Sequence, residues 1–202
     1  MQESDAQEAA ELLARSFCAS DPLEVVLGIT EPEFVEMTLL DFPQILEDQL
    51  SIVAREEETN ELVGVTTAMD AMTPFTDSSG KISPKFAPVA AIVNQLHHPY
   101  LETIPQKRGH TAYYYMGAVK SSWQGRGVAQ ATFKASEDLI TLRDYKHIFG
   151  IATNRGSSAA ICHNGFSPVA TVSYQDFMYQ GEKVFASITK HEGVTLVEKI
   201  LN

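Results

Sequence analysis

Residues 113–142 read YYYMGAVKSSWQGRGVAQATFKASEDLITL, and the fold assignment turns on this stretch. It opens as an apolar run of strand length from Tyr113 to Val119. It then breaks into a loop punctuated by Gly125 and Gly127, and resumes at Val128 with helical spacing that lasts to Leu142. In Gln124-Gly125-Arg126-Gly127-Val128-Ala129 two residues lack a Cβ and Ala129 is small. Main-chain N–H groups can therefore turn inward around an anion where the helix begins, and a phosphate suits such a nest. A Walker loop is excluded because no Gly-Lys-Ser/Thr closes the run, and the dinucleotide fingerprint because two glycines stand where three are needed. A plain strand-to-helix connection with no ligand remains the competing reading of this stretch by itself.

On the N-terminal side, Ala6, Ala9, Ala10, Leu13 and Phe17 recur at helical spacing after Ser4. Ser20-Asp21-Pro22-Leu23 sets a capping residue before a proline at a first helical position, and Gly28 stops that short helix. Thr30-Glu31-Pro32-Glu33 has the spacing of a capping box and opens a helix to about Glu47, with a kink expected at Pro43. Leu50 to Arg55 and Leu62 to Met69 read as a hairpin around a polar turn. From 70 to 110 five prolines surround one short apolar helix, Val89 to Leu96, which reads as an insertion between strands and a candidate binding loop. Past the central stretch the pattern predicts a strand at His147 to Ala152 and a short helix from Arg155 to Asn164. Two further strands, Phe166 to Tyr179 and Lys183 to Ile188, are expected to turn at Gln180-Gly181.

The chain has 202 residues, 44% of them hydrophobic, which suits one domain over 1–202 with a substantial core. No signal peptide and no apolar span of about 18 residues is visible, so a cytoplasmic protein is expected. Cys18 and Cys162 are read as reduced packing thiols. A formal charge of −11 argues against a nucleic-acid partner or an anionic membrane surface. That charge is uneven: residues 1–61 hold 16 acidic and 2 basic side chains, and residues 62–202 hold 10 acidic and 13 basic. Either these are solvated helix faces, or an acidic first half draws a cationic amine toward a second half that holds a polyanion. His97 and His98 are adjacent rather than at ligand spacing, and with no Cys/His cluster no metal is expected.

The run Val119 to Ala129 resembles the acyl-CoA loop of the GNAT superfamily of N-acetyltransferases, with Gln124, Gly127 and Ala129 at its defining positions. The resemblance implies an α/β (α+β) fold with a mixed, mainly antiparallel sheet flanked by helices, acetyl-CoA as co-substrate, and transfer to a small primary amine. It implies that the amides of Gln124, Gly125, Arg126, Gly127, Val128 and Ala129 hold the pyrophosphate. Met116, Gly117, Ala118 and Val119 would then bond the pantetheine arm and polarise the acetyl carbonyl. Chemistry agrees, because a tetrahedral adduct at a thioester needs a preorganised N–H donor, and a strand splayed from its neighbour, for example by a bulge, leaves such donors free.

Three further segments are similar to the arylalkylamine N-acetyltransferases of the insect dopamine-acetylating type. They are the Phe17 to Leu23 corner, Ser83-Pro84-Lys85-Phe86, and Tyr174 to Phe185. Two departures stand out: the superfamily's first strand would precede Ser4, and Asp21 occupies the place of the branch's catalytic glutamate. An alkylammonium with pKa of about 10 must lose a proton before it attacks, so a carboxylate base is required. Asp21 is the candidate, and a helix cap is its ordinary alternative. The resemblance places Asn154 and Ser157 against the CoA arm and Ile161 where many members carry a proton-donating tyrosine. It matches the branch's two-serine relay to Thr153 and Ser157, and a capping role is again the alternative for Ser157. Without a Gly-x-Ser-x-Gly nucleophile, direct attack in a ternary complex is expected. The two rival functions are a protein or peptide N-acetyltransferase with an open acceptor groove, and a CoA sensor without turnover.

Overall fold

Local chemistry sets the first helices. In the computed structural model, which describes residues 1–75 and 80–201, α1 (Ala6–Ser20) ends at Asp21. Asp21 is extended there, and its side chain caps α2 (Pro22–Leu27). Gly28 closes α2 in the left-handed conformation at φ 60°. Thr30 and Glu33 form the reciprocal cap of α3 (Glu31–Glu47), with Thr30 N–H donating to Glu33 Oε2 at 2.8 Å. The helix runs through Pro43 to its expected end.

The sheet has six strands in the order β1-β2-β3-β4-β6-β5. They are β1 (Ile52–Arg55), β2 (Leu62–Asp70), β3 (Thr111–Val119), β4 (His147–Ala152), β5 (Ser167–Ser173) and β6 (Gly193–Ile200). β3 and β4 pair in parallel and the other four pairings are antiparallel, as the mixed, mainly antiparallel expectation requires. Among the described residues no strand precedes α1. One face of the sheet packs Met69, Tyr113, Phe149 and Leu196 under α1, α3 and α4 (Phe86–Leu101). The other packs Ala68, Tyr114, Ile148 and Val197 under α5 (Val128–Leu142) and α6 (Arg155–His163). Covered on both sides, β2 is buried along its whole length, which explains its unbroken apolar and threonine-rich run.

Two expectations fail at the C-terminal end. Gln180 and Gly181 do turn the chain, at φ 49° and 87°, but residues 183–188 are not a strand. Phe185 is fully buried against Tyr174 and Phe177, so that apolar run fills the core as an aromatic plug rather than a ladder. The partner of β5 is β6, which the sequence reading passed over, and which inserts between β4 and β5. Gly193 explains how β6 enters, since a Cβ there would sit 1.9 Å from the Val172 carbonyl oxygen. The predicted strand from Phe166 to Tyr179 is also shorter, ending at Ser173.

The insertion at 70–110 is anchored at both ends, and its residues 76–79 lie outside the described residues. Asp70, only 1% exposed, accepts from Met72 N–H and Gly109 N–H and from Tyr145 OH. Asp48 receives Asp70 N–H, Thr73 Oγ1 and Arg108 Nη2. Farther along, Lys85 Nζ reaches the Gly28 carbonyl at 2.8 Å and Glu33 at 2.9 Å, tying the insertion to the α2–α3 corner. The insertion helix is longer than the expected 89–96 because Phe86 and Tyr100 extend its buried face. Asp70→Ala strands Gly109 N–H and Tyr145 OH without their acceptor, and is expected to cost about 2–4 kcal/mol in a urea titration at constant slope.

Candidate active site

β3 keeps register with β4 only from Thr111 to Tyr114, opposite His147 to Gly150. Beyond that point the strands part, because β3 carries a bulge against β2 between Thr67 and Ala68, with Tyr115 as the extra residue. Thr67 Oγ1 secures the bulge by donating to the Met116 carbonyl at 3.0 Å and accepting Met116 N–H at 2.9 Å. Lys120 N–H also turns toward β2, to the Val63 carbonyl. Strand alternation therefore aims the N–H groups of Gly117 and Val119 away from β2, into the gap. Met116 lines the gap, but its own N–H is committed to Thr67.

A cavity of about 1010 Å³ fills this parting. One wall is Tyr115 to Val119, the other Ile151 to Asn154, and Gln124 and Ala129 close the outer end. There α5 begins at Gly127, left-handed at φ 82°, and no side chain caps its first turn. The orphan amides of Val128 and Ala129 and the positive end of the helix dipole thus face outward beside the gap, which suits a phosphate. Gly64 makes the placement possible, since a Cβ there would meet Val128 Cγ1 at 2.5 Å. Gly125, Arg126, Gly127 and Val128 form the outer turn and do not line the cavity, and the Arg126 guanidinium lies 4.9 Å over the Trp123 ring.

The opposite end of the cavity is anionic and aromatic. Asp21, Glu24 and Asp41 line it together with Phe17, Phe34, Phe75, Phe86, Tyr113 and Tyr115, and among the described residues no lysine or arginine does. Asp21 caps α2 and also lines the cavity. One oxygen caps α2 through Leu23 N–H at 3.1 Å, and the other accepts from the Thr153 hydroxyl. Tyr174 OH in turn donates to the Thr153 carbonyl. Tyr115 OH donates to Asp41 at 2.7 Å, and burial raises the Asp41 carboxyl above its ordinary range. Burial, the Asp21 charge and a hydrogen bond to Asp21 push Glu24 up to about 9.

Ser157 lines the cavity from α6, yet it forms the expected cap there. Ser157 N–H donates to Asn154 Oδ1 at 2.8 Å, and its hydroxyl to the Asn154 carbonyl at 2.9 Å. Ile161 also lines the cavity and brings no donor. Asp21, Thr153, Asn154, Ser157, Met116 to Val119, Gln124 and Ala129 thus meet around one space. Sequence reasoning missed Thr67, Gly64, Glu24 and Asp41. Glu24 alone left a trace, as the acid three residues past the Asp21 cap. Among the described residues no group of three His, Cys, Asp or Glu is arranged to hold a metal. None of the described helices is long and apolar enough to cross a membrane.

No protein-family model matches the chain, and no curated protein sequence does. Solved structures do. The C-terminal condensation domain of Ebony, in complex with beta-alanyl-dopamine, superposes with a TM-score of 0.89 at 16% identity, over 100% of this chain and 96% of that one. Arylalkylamine N-acetyltransferase 2 from Aedes aegypti gives 0.82 at 18% identity, over 100% and 97%. The fold is that of the GNAT N-acetyltransferases. The polyamine N-acetyltransferase of Drosophila melanogaster shares this GNAT fold at a TM-score of 0.75 and 15% identity, over 100% and 97%.

Thr67 is expected to pin the parting of the strands at this cavity. Thr67→Val, of nearly equal volume, leaves Met116 N–H without a partner and should cost about 1–3 kcal/mol in a denaturant titration.

Proposed function

We propose that the protein is an acetyl-CoA-dependent N-acetyltransferase that acetylates a small primary amine by direct attack in a ternary complex. One observation carries this reading. A wall of carboxylates and aromatic rings faces a splayed strand and an uncapped helix start across a single cavity. The loop amides from Gln124 to Ala129 would hold the CoA pyrophosphate, and the free N–H groups of Gly117 and Val119 would bond the pantetheine arm and polarise the acyl carbonyl. Acetyl-CoA supplies the activated acyl group. Among the solved structures with this fold is the NatC complex bound to Gag peptide and CoA, at a TM-score of 0.58 and 12% identity, over 100% of this chain and 93% of that one.

The acceptor end selects for positive charge. Among the described residues the carboxyl groups of Asp21, Glu24 and Asp41 stand on this wall with no lysine or arginine, which favours a cationic head, and the phenylalanine and tyrosine rings suit an apolar or arylalkyl body. Beta-alanyl-dopamine in the Ebony domain and the arylalkylamine and polyamine acceptors in the names of the other neighbours are consistent with that chemistry. Phe86, Val89 and Val93 of α4 cover the acceptor side, which favours a small amine over the open groove of a peptide acetyltransferase.

Asp21 is the proposed base, with its place fixed by the α2 cap and by Thr153. Asp21→Asn keeps an acceptor for Leu23 N–H. It is expected to lower kcat/KM for an amine by on the order of 10²-fold while calorimetry finds acetyl-CoA binding unchanged. Equal turnover by the variant removes Asp21 from the chemistry. Thr153 and Ser157 are proposed to relay a proton toward the departing thiolate, although the Ser157 hydroxyl must first leave the Asn154 carbonyl. Ser157→Ala is expected to lower turnover at least about tenfold with acetyl-CoA affinity retained. An unaltered rate and pH profile makes Ser157 a cap alone.

A further inference from the structure

We propose that Asp21 and Glu24 act as one acid pair that holds a single shared proton and receives the acceptor ammonium, with Glu24 Oε2 as the atom that takes its proton. The inference rests on the transferase reading above and assigns Glu24 a catalytic role at the acceptor site. Asp21 and Glu24 stand at the first and last positions of a capping-box spacing, where the acid normally folds back to the N-cap amide. Here the Asp21 amide is already bonded to the Phe17 carbonyl, and Glu24 meets the Asp21 side chain instead.

The two residues are 5% and 4% exposed, and among the described residues no lysine or arginine lines their cavity. Two neighbouring carboxyls removed from water resist being charged together, which favours a pair that keeps one proton. Leu23 N–H and the Thr153 hydroxyl both donate to Asp21, which places the negative charge on Asp21 and the proton on Glu24. Glu24 Oε2 is then a buried acceptor with no partner, on the wall of the cavity. Such an atom is costly to leave bare, and an ammonium arriving from the cavity supplies the missing donor.

Other groups face the pair from each neighbouring element. Cys18 on α1 is raised to about 11 by burial and then by Glu24. Tyr115 on β3 and Tyr174 beyond β5 are also raised by burial, so none of the three charges below pH 9. Asp41 on α3 connects through Tyr115, and His98 lines the same cavity from α4.

The transfer balances as follows. A proton leaves the ammonium for Glu24 Oε2 as the proton already on Glu24 passes to Asp21. The freed nitrogen lone pair forms the C–N bond, the C–S bond breaks with its electron pair going to sulfur, and the second nitrogen proton ends on the thiolate. The neutral pair then returns one proton to solvent.

Wild type, Glu24→Gln and Asp21→Asn should be compared by two readouts. In the first, unfolding free energy of the free protein is followed from pH 5 to 9. A carboxyl whose proton affinity is raised by folding stabilises most below its unfolded pKa, so wild type should lose stability across this window and Glu24→Gln should lose much less. In the second, kcat/KM–pH profiles with acetyl-CoA and tyramine or agmatine should show an acidic limb in wild type. Glu24→Gln should lose about 10²-fold on the plateau, with calorimetric acetyl-CoA affinity unchanged. Equal stability slopes in the two proteins overturn the shared proton whatever the activity. Equal rates and profiles overturn the role of Glu24 while leaving the transferase reading intact. If wild type binds acetyl-CoA yet acetylates neither amine, the transferase reading falls and the catalytic role falls with it, while the stability slopes still decide the shared proton. Asp21→Asn should also flatten the stability slope, which checks the pairing through a second variant.

Discussion

Everything at the site follows from β3 having to leave β4 halfway along its length. The parallel ladder stops at Tyr114 and Gly150, and the bulge opposite Thr67 turns the rest of β3 aside. The cavity is the space this opens. A break in a sheet ordinarily strands polar backbone, and here the Thr67 hydroxyl takes both groups of Met116, so the remaining unpaired amides all face one way. The same parting leaves room for α5 to start beside it, because Gly64 lets Val128 lie against β2. Strand amides and helix amides therefore converge from two elements that are adjacent in sequence, joined by a loop of a few residues.

Features governed by near neighbours in sequence were legible. The Thr30–Glu33 box, the proline start of α2, the Asn154 cap and the glycine-broken loop each depend on residues within about four positions, and all stand where the sequence puts them. What escaped reading depends on partners far away in the chain. β6 belongs between β4 and β5, but a Gln-Gly turn at 180–181 is a stronger local signal than a strand whose partners lie 20 to 53 residues upstream. Thr67 is an unremarked strand threonine until Met116 is set beside it. Glu24 looks like one more acid in an acidic third until Asp21 and the cavity give it a face.

The charge asymmetry also resolves residue by residue rather than as a whole. Asp5 and Glu8 share Arg55, and Glu33 holds Lys85, where backbone and lysine hydrogen bonds lower its carboxyl to about 2. These acids are structural. Asp21, Glu24 and Asp41 are different, because they sit on the cavity wall without a cation. At Asp21 the helix cap and the cavity wall coincide: a carboxylate fixed by the start of a helix cannot swing away, so the cap would orient it for the proposed chemistry.

A pocket whose described lining includes carboxylates and no lysine or arginine would treat the two ends of the proposed acylation unequally. In the proposed reaction an alkylamine would enter as a cation and be drawn toward the carboxylate wall around Asp21. Once that nitrogen is an amide it would carry no charge for the wall to hold, and the attraction that loaded the pocket would vanish with the bond that was made. Unloading would thereby be built into the proposed reaction.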